Sequence, residues 1–389
     1  MKLFSQLKYG RLQVQLPDGT RLQFGEESSD QLEANVEILD ESCFQQILLG
    51  GSLSAAEAYL ERQWTTDDLT VVMRLMCRNL TRLTAMDGGW ARLARSFAVL
   101  KHRFMKNTHI GSRRNIAAHY DLSNEFFQLF LDPTLMYSSG LFTSPQMTMQ
   151  EASVEKLERI CRKLSLKQSD HVVENGTGWG GFALHAASNY GCRVTTTTIS
   201  DKQYELARER IESAGLQDRV TLLREDYRHL TGVYDKLVSI EMIEAVGQEF
   251  LPAYFQACNR LLKPGGTMLV QAITMPDYRY DEYSRGVDFI QKYIFPGGHL
   301  PSVGAMQASV EKTSLNLVDA LQFPESYMRT LQCWKDEFTR KSDAVRSLGF
   351  DERFLRMWMY YLCYCEAAFQ EHTVSVGQFV WEKSCFADN

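Results

Sequence analysis

His171-Val172-Val173-Glu174-Asn175-Gly176-Thr177-Gly178-Trp179-Gly180-Gly181 is the stretch on which the reading of this 389-residue chain turns. A short β-branched run enters a glycine-rich turn, and residues 182–190 behind it have helical spacing. Glycine allows a tight turn and close approach of a ligand to bare backbone, and the helix behind it presents its positive end. The turn alone does not choose between NAD, FAD and S-adenosylmethionine, and a turn that serves packing only would read the same.

The flanking sequence narrows the choice. Residues 194–198 form a β-branched strand, residues 202–214 a charged helix, and residues 220–223 and 236–240 two further strands. A helix at 254–262, a Lys263-Pro264-Gly265-Gly266 turn and a strand at 267–273 follow. Strands alternating with helices predict an α/β fold with a parallel, doubly wound sheet and its ligand at the carboxyl ends of the strands. A dinucleotide site wants an acid about 20 residues beyond the glycines. Here the second strand ends in hydroxyls, Thr198 and Ser200, with Gln203 one turn further on. The third ends Glu225-Asp226-Tyr227, where Asp226 suits the amino group of adenine and Tyr227 its ring. S-adenosylmethionine fits this set better than NAD.

Upstream, short alternating stretches around Pro17-Asp18-Gly19 predict a β-rich start, and helical spacing runs from Cys43 to about Leu100. We therefore expect a smaller N-terminal α+β domain over residues 1–105 and a larger α/β domain over residues 106–389 that holds the adenosyl cofactor. Between residues 88 and 120 lie seven cations and no acid: Arg92, Arg95, Lys101, Arg103, Lys106, Arg113 and Arg114. They read either as a solvated linker helix or as a face that meets an anionic membrane surface.

Composition limits the classes. Hydrophobic residues are 44% and charged residues 23% of the chain, which excludes wholesale disorder and coiled coil. A net charge of −6 argues against a nucleic-acid partner. No apolar run approaches the roughly 18 residues of a membrane span, and the first residues lack the apolar core of a leader. Nine cysteines without an export signal are expected as free thiols in the cytoplasm, and their spacing suggests no metal site.

Several blocks together resemble the cyclopropane-fatty-acyl-phospholipid synthase and mycolic acid cyclopropane synthase family. They are residues 119–124 (His119-Tyr120-Asp121-Leu122-Ser123-Asn124) with Phe126-Phe127, Asp132-Pro133, Tyr137-Ser138, the glycine turn, residues 239–244, and residues 292–298 from Lys292 to Gly298. The likeness covers about residues 45–380, and it implies lipid contact and assembly for the domain over residues 1–105 and methyltransferase chemistry, with acyl-chain-binding elements, for residues 106–389. It implies a Rossmann-like class I methyltransferase domain that moves a methyl from S-adenosylmethionine onto a cis double bond of an acyl chain, with loss of a proton to close a cyclopropane ring. Unsaturated phospholipid is the implied substrate, at the inner face of the membrane, with a homodimer as the implied assembly. Related products, a methyl-branched or methylene chain, stay open, as do a small-molecule methyltransferase and a non-catalytic lipid-binding relative.

The cofactor positions carried over are Tyr137, Ser138, Gly176, Gly178, Thr198, Ser200, Gln203, Asp226 and Tyr227. Tyr120 and Tyr293 are the implied substrate contacts, since aromatic faces stabilise a carbocation. The resemblance implies a bicarbonate ion as the base, held by Glu244, Ile273 and Tyr327, with Ser139 replacing a cysteine and Gln271 a histidine. Glu244 acting directly is the alternative. Glu241, an additional carboxylate three residues earlier, reads as a solvated charge. Cys365 matches a cysteine regarded as an active-site candidate, although a thiol has no evident task in alkene methylation and reads better as structural. Asn175 departs from the aliphatic residue of the family, and a buried amide there needs hydrogen-bond partners.

Overall fold

The structure, a computed structural model, describes residues 4–85 and 122–385. These form two compact units. The seven-cation stretch and Tyr120 lie outside the described residues.

The first unit gathers residues 4–85 with Arg285–Ile294 and Leu331–Val374, so the chain re-enters it twice beyond the boundary drawn at residue 105. Strands β1 (Gly10–Gln15) and β2 (Arg21–Glu26) form a hairpin. Gly19, at φ 85°, donates to Leu16 O at 2.9 Å, and Asp18 Oδ1 accepts from Thr20 N at 2.8 Å, which closes the turn. Alternation along β1 buries Leu12 and Val14. β3 (Glu33–Ile38) pairs parallel to β1, and β4 (Trp64–Thr66) antiparallel to β3. Helices α1 (Ser42–Leu60), α2 (Leu69–Arg78) and α3 (Leu80–Ala85) complete this part. The helical run expected from Cys43 is thus broken by β4, because the buried Trp64 anchors there by donating to Ala55 O at 2.9 Å. The late helix Glu352–Gln370 joins α2 through Thr70, which donates to Glu366, and through Arg74, paired with Glu371 at 2.7 Å.

The second unit has a sheet of seven strands. β5 (His171–Asn175), β6 (Arg193–Thr197), β7 (Val220–Leu223), β8 (Tyr234–Ile240) and β9 (Leu262–Thr274) run parallel in the order β9-β8-β5-β6-β7. β9 begins at Leu262, so the turn expected at residues 263–266 is the start of that strand. β10 (Leu315–Gln322) and β11 (Ser375–Lys383) extend the sheet antiparallel beyond β9, β11 lying inside β10. This is the expected α/β fold of a class I methyltransferase.

Helices α4 (Met149–Lys163), α5 (Gly181–Tyr190), α6 (Asp201–Ser213) and α7 (Leu251–Leu261) supply the cover. α4 starts at a capping box in which Thr148 and Glu151 bond each other's backbone N–H groups. Neighbouring residues of one strand point to opposite faces, and the core divides accordingly. Val172, Val238 and Leu269 pack with Leu157, Ile160 and Phe182. Val173, Leu237 and Val270 pack with Tyr254, Phe255 and Leu261. Among the described residues no helix is long and apolar enough to cross a membrane.

Candidate functional site

β5 delivers the glycine turn to the carboxyl edge of the sheet, with Gly176 at φ 96° and Gly178 at φ 52°. A Cβ added at Gly178 would meet nothing within 4 Å, so the turn shows bare backbone to open space. Glu174 anchors the turn from below, accepting from Thr196 Oγ1 at 2.6 Å, and burial raises its pKa to about 8.

Asn175 is fully buried. Its Nδ2 reaches Cys258 Sγ at 3.7 Å, and its Oδ1 has no hydrogen-bond partner. An orphaned buried polar atom costs about 1–3 kcal/mol. Asn175→Val, which suits a strand, is expected to raise stability by about that amount. Chemical denaturation of the two proteins measures it; an unchanged or lower midpoint would mean that the amide is satisfied.

The expected cofactor residues collect along the same edge. Thr198 Oγ1 donates to Gln203 Oε1 at 2.9 Å, and Ser200 caps α6 by accepting from Gln203 N at 3.3 Å. Asp226 accepts from Arg228 Nε at 2.8 Å, so its carboxylate has a cationic partner that sequence reading did not anticipate. Tyr227 packs edge-on against Tyr254 at 5.5 Å. Tyr137 lies against Phe127 at 5.1 Å and Phe295 at 6.4 Å. Ser138 Oγ accepts from Lys156 Nζ at 2.6 Å.

Lys156 is the residue that sequence reading missed. It is 0% exposed, on the inward face of α4 beside Ala152, Ser153 and Leu157. Burial lowers its pKa to about 8, against the raising influence of Glu241 and Asp132. The available signal was a lysine at helical spacing within an apolar stripe.

Two carboxyl groups follow β8, and they differ. Glu241 is not the solvated charge expected. Its Oε1 accepts from Ser139 N at 2.9 Å and from Gln271 Nε2 at 2.8 Å, and its Oε2 accepts from Tyr327 OH at 2.7 Å. Burial raises its pKa, while Lys156 and these three donors work in the opposite direction. A left-handed backbone, φ 48°, turns this residue inward. Glu244 Oε1 accepts from Ile273 N at 2.6 Å, but its buried Oε2 has no partner. Burial, with the charge of Glu241 added, pushes its pKa up to about 8.

Ser139, Gln271, Ile273, Tyr327 and Glu244 are thus brought together, with altered tasks for two of them. Ser139 contributes its backbone N–H, since its hydroxyl turns to Gly140 O at 2.8 Å. Ile273 serves Glu244. Gln271 is held by Gln378, which donates to its Oε1 at 3.0 Å and is itself bonded by Arg159 at 2.7 Å. Tyr293 and Cys365 belong to the first unit. Tyr293 OH donates to Glu57 at 2.7 Å. Desolvation, with the charge of Asp288 added, pushes the thiol of the half-buried Cys365 far above its ordinary range and favours its protonated form.

A family model described as mycolic acid cyclopropane synthetase matches residues 107–379. A tuberculostearic acid methyltransferase of Mycobacterium tuberculosis is 38% identical over 338 residues, 85% of this chain and 78% of the relative. The cyclopropane-fatty-acyl-phospholipid synthase of Escherichia coli is 33% identical over 364 residues, 90% of this chain and 88% of the relative. Among solved structures, a mycolic acid cyclopropane synthase complexed with SAH and CTAB has 29% identity and a TM-score of 0.66, covering 70% of this chain and 98% of its own.

Proposed function

We propose that this chain, which belongs to the mycolic acid cyclopropane synthetase family, transfers a methyl group from S-adenosylmethionine to a cis double bond of an unsaturated acyl chain in phospholipid and closes a cyclopropane ring. One observation carries the reading: the glycine turn shows bare backbone to open space in the same unit that holds the carboxyl groups of Glu241 and Glu244 in hydrogen bonds from separate segments.

The cofactor fits the residues present. Gly178 leaves room against the backbone, Gly176 makes the turn at φ 96°, and Tyr137, Ser138, Thr198, Ser200, Gln203, Asp226 and Tyr227 would hold it. Bound there, S-adenosylmethionine supplies an electrophilic methyl on a cationic sulfur. An isolated alkene is a weak nucleophile, so the chain's first task is to hold it in line and dry. Its second is to shelter the resulting carbocation, for which the ring cluster of Tyr137, Phe127 and Phe295 is suited, with Tyr120 as a further candidate. Its third is to remove a proton.

Purified protein with vesicles of unsaturated phospholipid should give acyl chains heavier by one methylene in mass spectrometry. A cyclopropane chain resists mild catalytic hydrogenation, whereas a methylene chain takes up hydrogen. An open-chain product is the second reading, favoured by the 38% identity to a tuberculostearic acid methyltransferase. Absence of any methylated acyl chain would remove both.

A place at the inner face of the membrane goes with this substrate. The seven cations of residues 88–120 would each contribute about 1 kcal/mol near an anionic surface, a contribution that salt screens. Sedimentation with anionic vesicles should fall steeply between low and high salt, and remain weak at both with neutral vesicles. Equal binding in all four conditions would leave those cations as a solvated face.

A further inference from the structure

The groups expected to grip a bicarbonate ion are already engaged. Ser139 N–H, Gln271 Nε2 and Tyr327 OH come from three separate segments and converge on the carboxylate of Glu241. Ile273 N–H, a further expected ligand, is taken by Glu244. A bicarbonate ion would have to displace a carboxylate of like charge that is part of the chain, so these residues do not fit it.

We infer that Glu241 is the proton acceptor of the reaction, a resident carboxylate in place of a diffusible anion, with the buried Lys156 as its counter-charge. This rests on the function proposed above. A carboxylate and a bicarbonate ion share a planar O–C–O group and a single negative charge, so one donor set serves either. The backbone supports the assignment. A residue with a Cβ is strained at φ 48°, where glycine sits freely, yet a glutamate occupies the position. The donor set is fixed as well. Gln378 and, behind it, Arg159 hold the amide of Gln271 with its NH2 toward the carboxylate, which favours the ionised form. Burial raises the pKa of Glu241 and makes it a stronger base than an exposed carboxylate.

The chemistry balances with this group alone. The π pair of the alkene forms the new carbon–carbon bond to the methyl, while sulfur keeps the pair of the broken carbon–sulfur bond. The neighbouring alkene carbon becomes a cation. A C–H bond of the added methyl then breaks, its electron pair closes the ring onto that carbon, and the proton passes to an oxygen of Glu241. The neutral acid returns its proton to water before the next turnover.

The test uses the full-length protein with SAH and ¹³C-labelled bicarbonate, followed by NMR line broadening, beside methylation assays in CO2-free and bicarbonate-supplemented buffer. The wild type should neither broaden the bicarbonate signal nor change its rate. Glu241→Gly should bind bicarbonate, lose about 100-fold or more of turnover without it, and regain turnover when it is added. Glu241→Gln, which keeps an acceptor for Ser139 and Gln271, should bind no bicarbonate and stay inactive; SAH binding by both variants confirms their fold. Bicarbonate binding by the wild type, or a wild-type rate that collapses without it, overturns the inference. A wild type that methylates no unsaturated phospholipid defeats the proposed function, and the bicarbonate titration then decides by itself whether Glu241 fills the anion position.

Discussion

Glu241→Gln is expected to lower turnover on unsaturated phospholipid by about 10²–10⁴-fold, the usual worth of a general base, with SAH affinity kept within a few-fold. Glu244→Gln should keep turnover within about tenfold of wild type at pH 7. The two carboxyl groups lie three residues apart and interact, so ionising both is costly, and their surroundings decide which one carries the charge. Glu241 has three hydrogen-bond donors and Lys156. Glu244 has one backbone donor, a partnerless buried oxygen and a pKa near 8, so it is mostly neutral at pH 7, and an amide mimics it. Initial rates of both variants at saturating cofactor measure the contrast. A larger loss in Glu244→Gln than in Glu241→Gln would reverse the assignment.

Lys156→Met should move the acidic limb of the rate profile up by about one pH unit, so that rate lost on the acidic side is recovered at higher pH. The sign follows from the cation's influence. Lys156 favours the charged form of Glu241, so its loss raises the pKa of the base, and a higher pH is needed to empty it. Other groups around Glu241 are Glu244 after β8, Tyr327 on helix Pro324–Arg340, Gln271 on β9 and the Ser139 amide. Asp132 and Ser138 face Lys156 from the other side. None of these supplies a second positive charge to Glu241. A uniform loss of rate with an unshifted profile would make Lys156 a packing residue only.

The parallel part of the sheet was legible because strands β5 to β8 carry β-branched or apolar runs, with α5 and the charged α6 between the first three. β10 and β11 were not foreseen. β10 is largely exposed at the sheet edge, and β11 is buried along most of its length, so neither follows the βα rhythm of the strands before them. The glycine turn, the hydroxyl-ended second strand and the cluster around Gln271 could be named residue by residue. Glu241 was misread because its direction depends on one left-handed backbone angle, which sequence spacing does not encode. Lys156 was overlooked because a lysine in a helix ordinarily lies in water, and only packing against Ser138 shows otherwise.

The antiparallel strand β11 also sets a timetable for biosynthesis. Gln378, which fixes the amide of Gln271, follows every other member of the polar chain Arg159–Gln378–Gln271–Glu241 in order of translation. β10 cannot join the sheet until β11 has entered between it and β9. The hydrogen bond that fixes the amide of Gln271 toward Glu241 is therefore the last of this chain to become possible. Competence waits on the docking of the strand that carries Gln378, and a polypeptide halted before Ser375 lacks both that hydrogen bond and the core side chains Phe379, Val380 and Trp381.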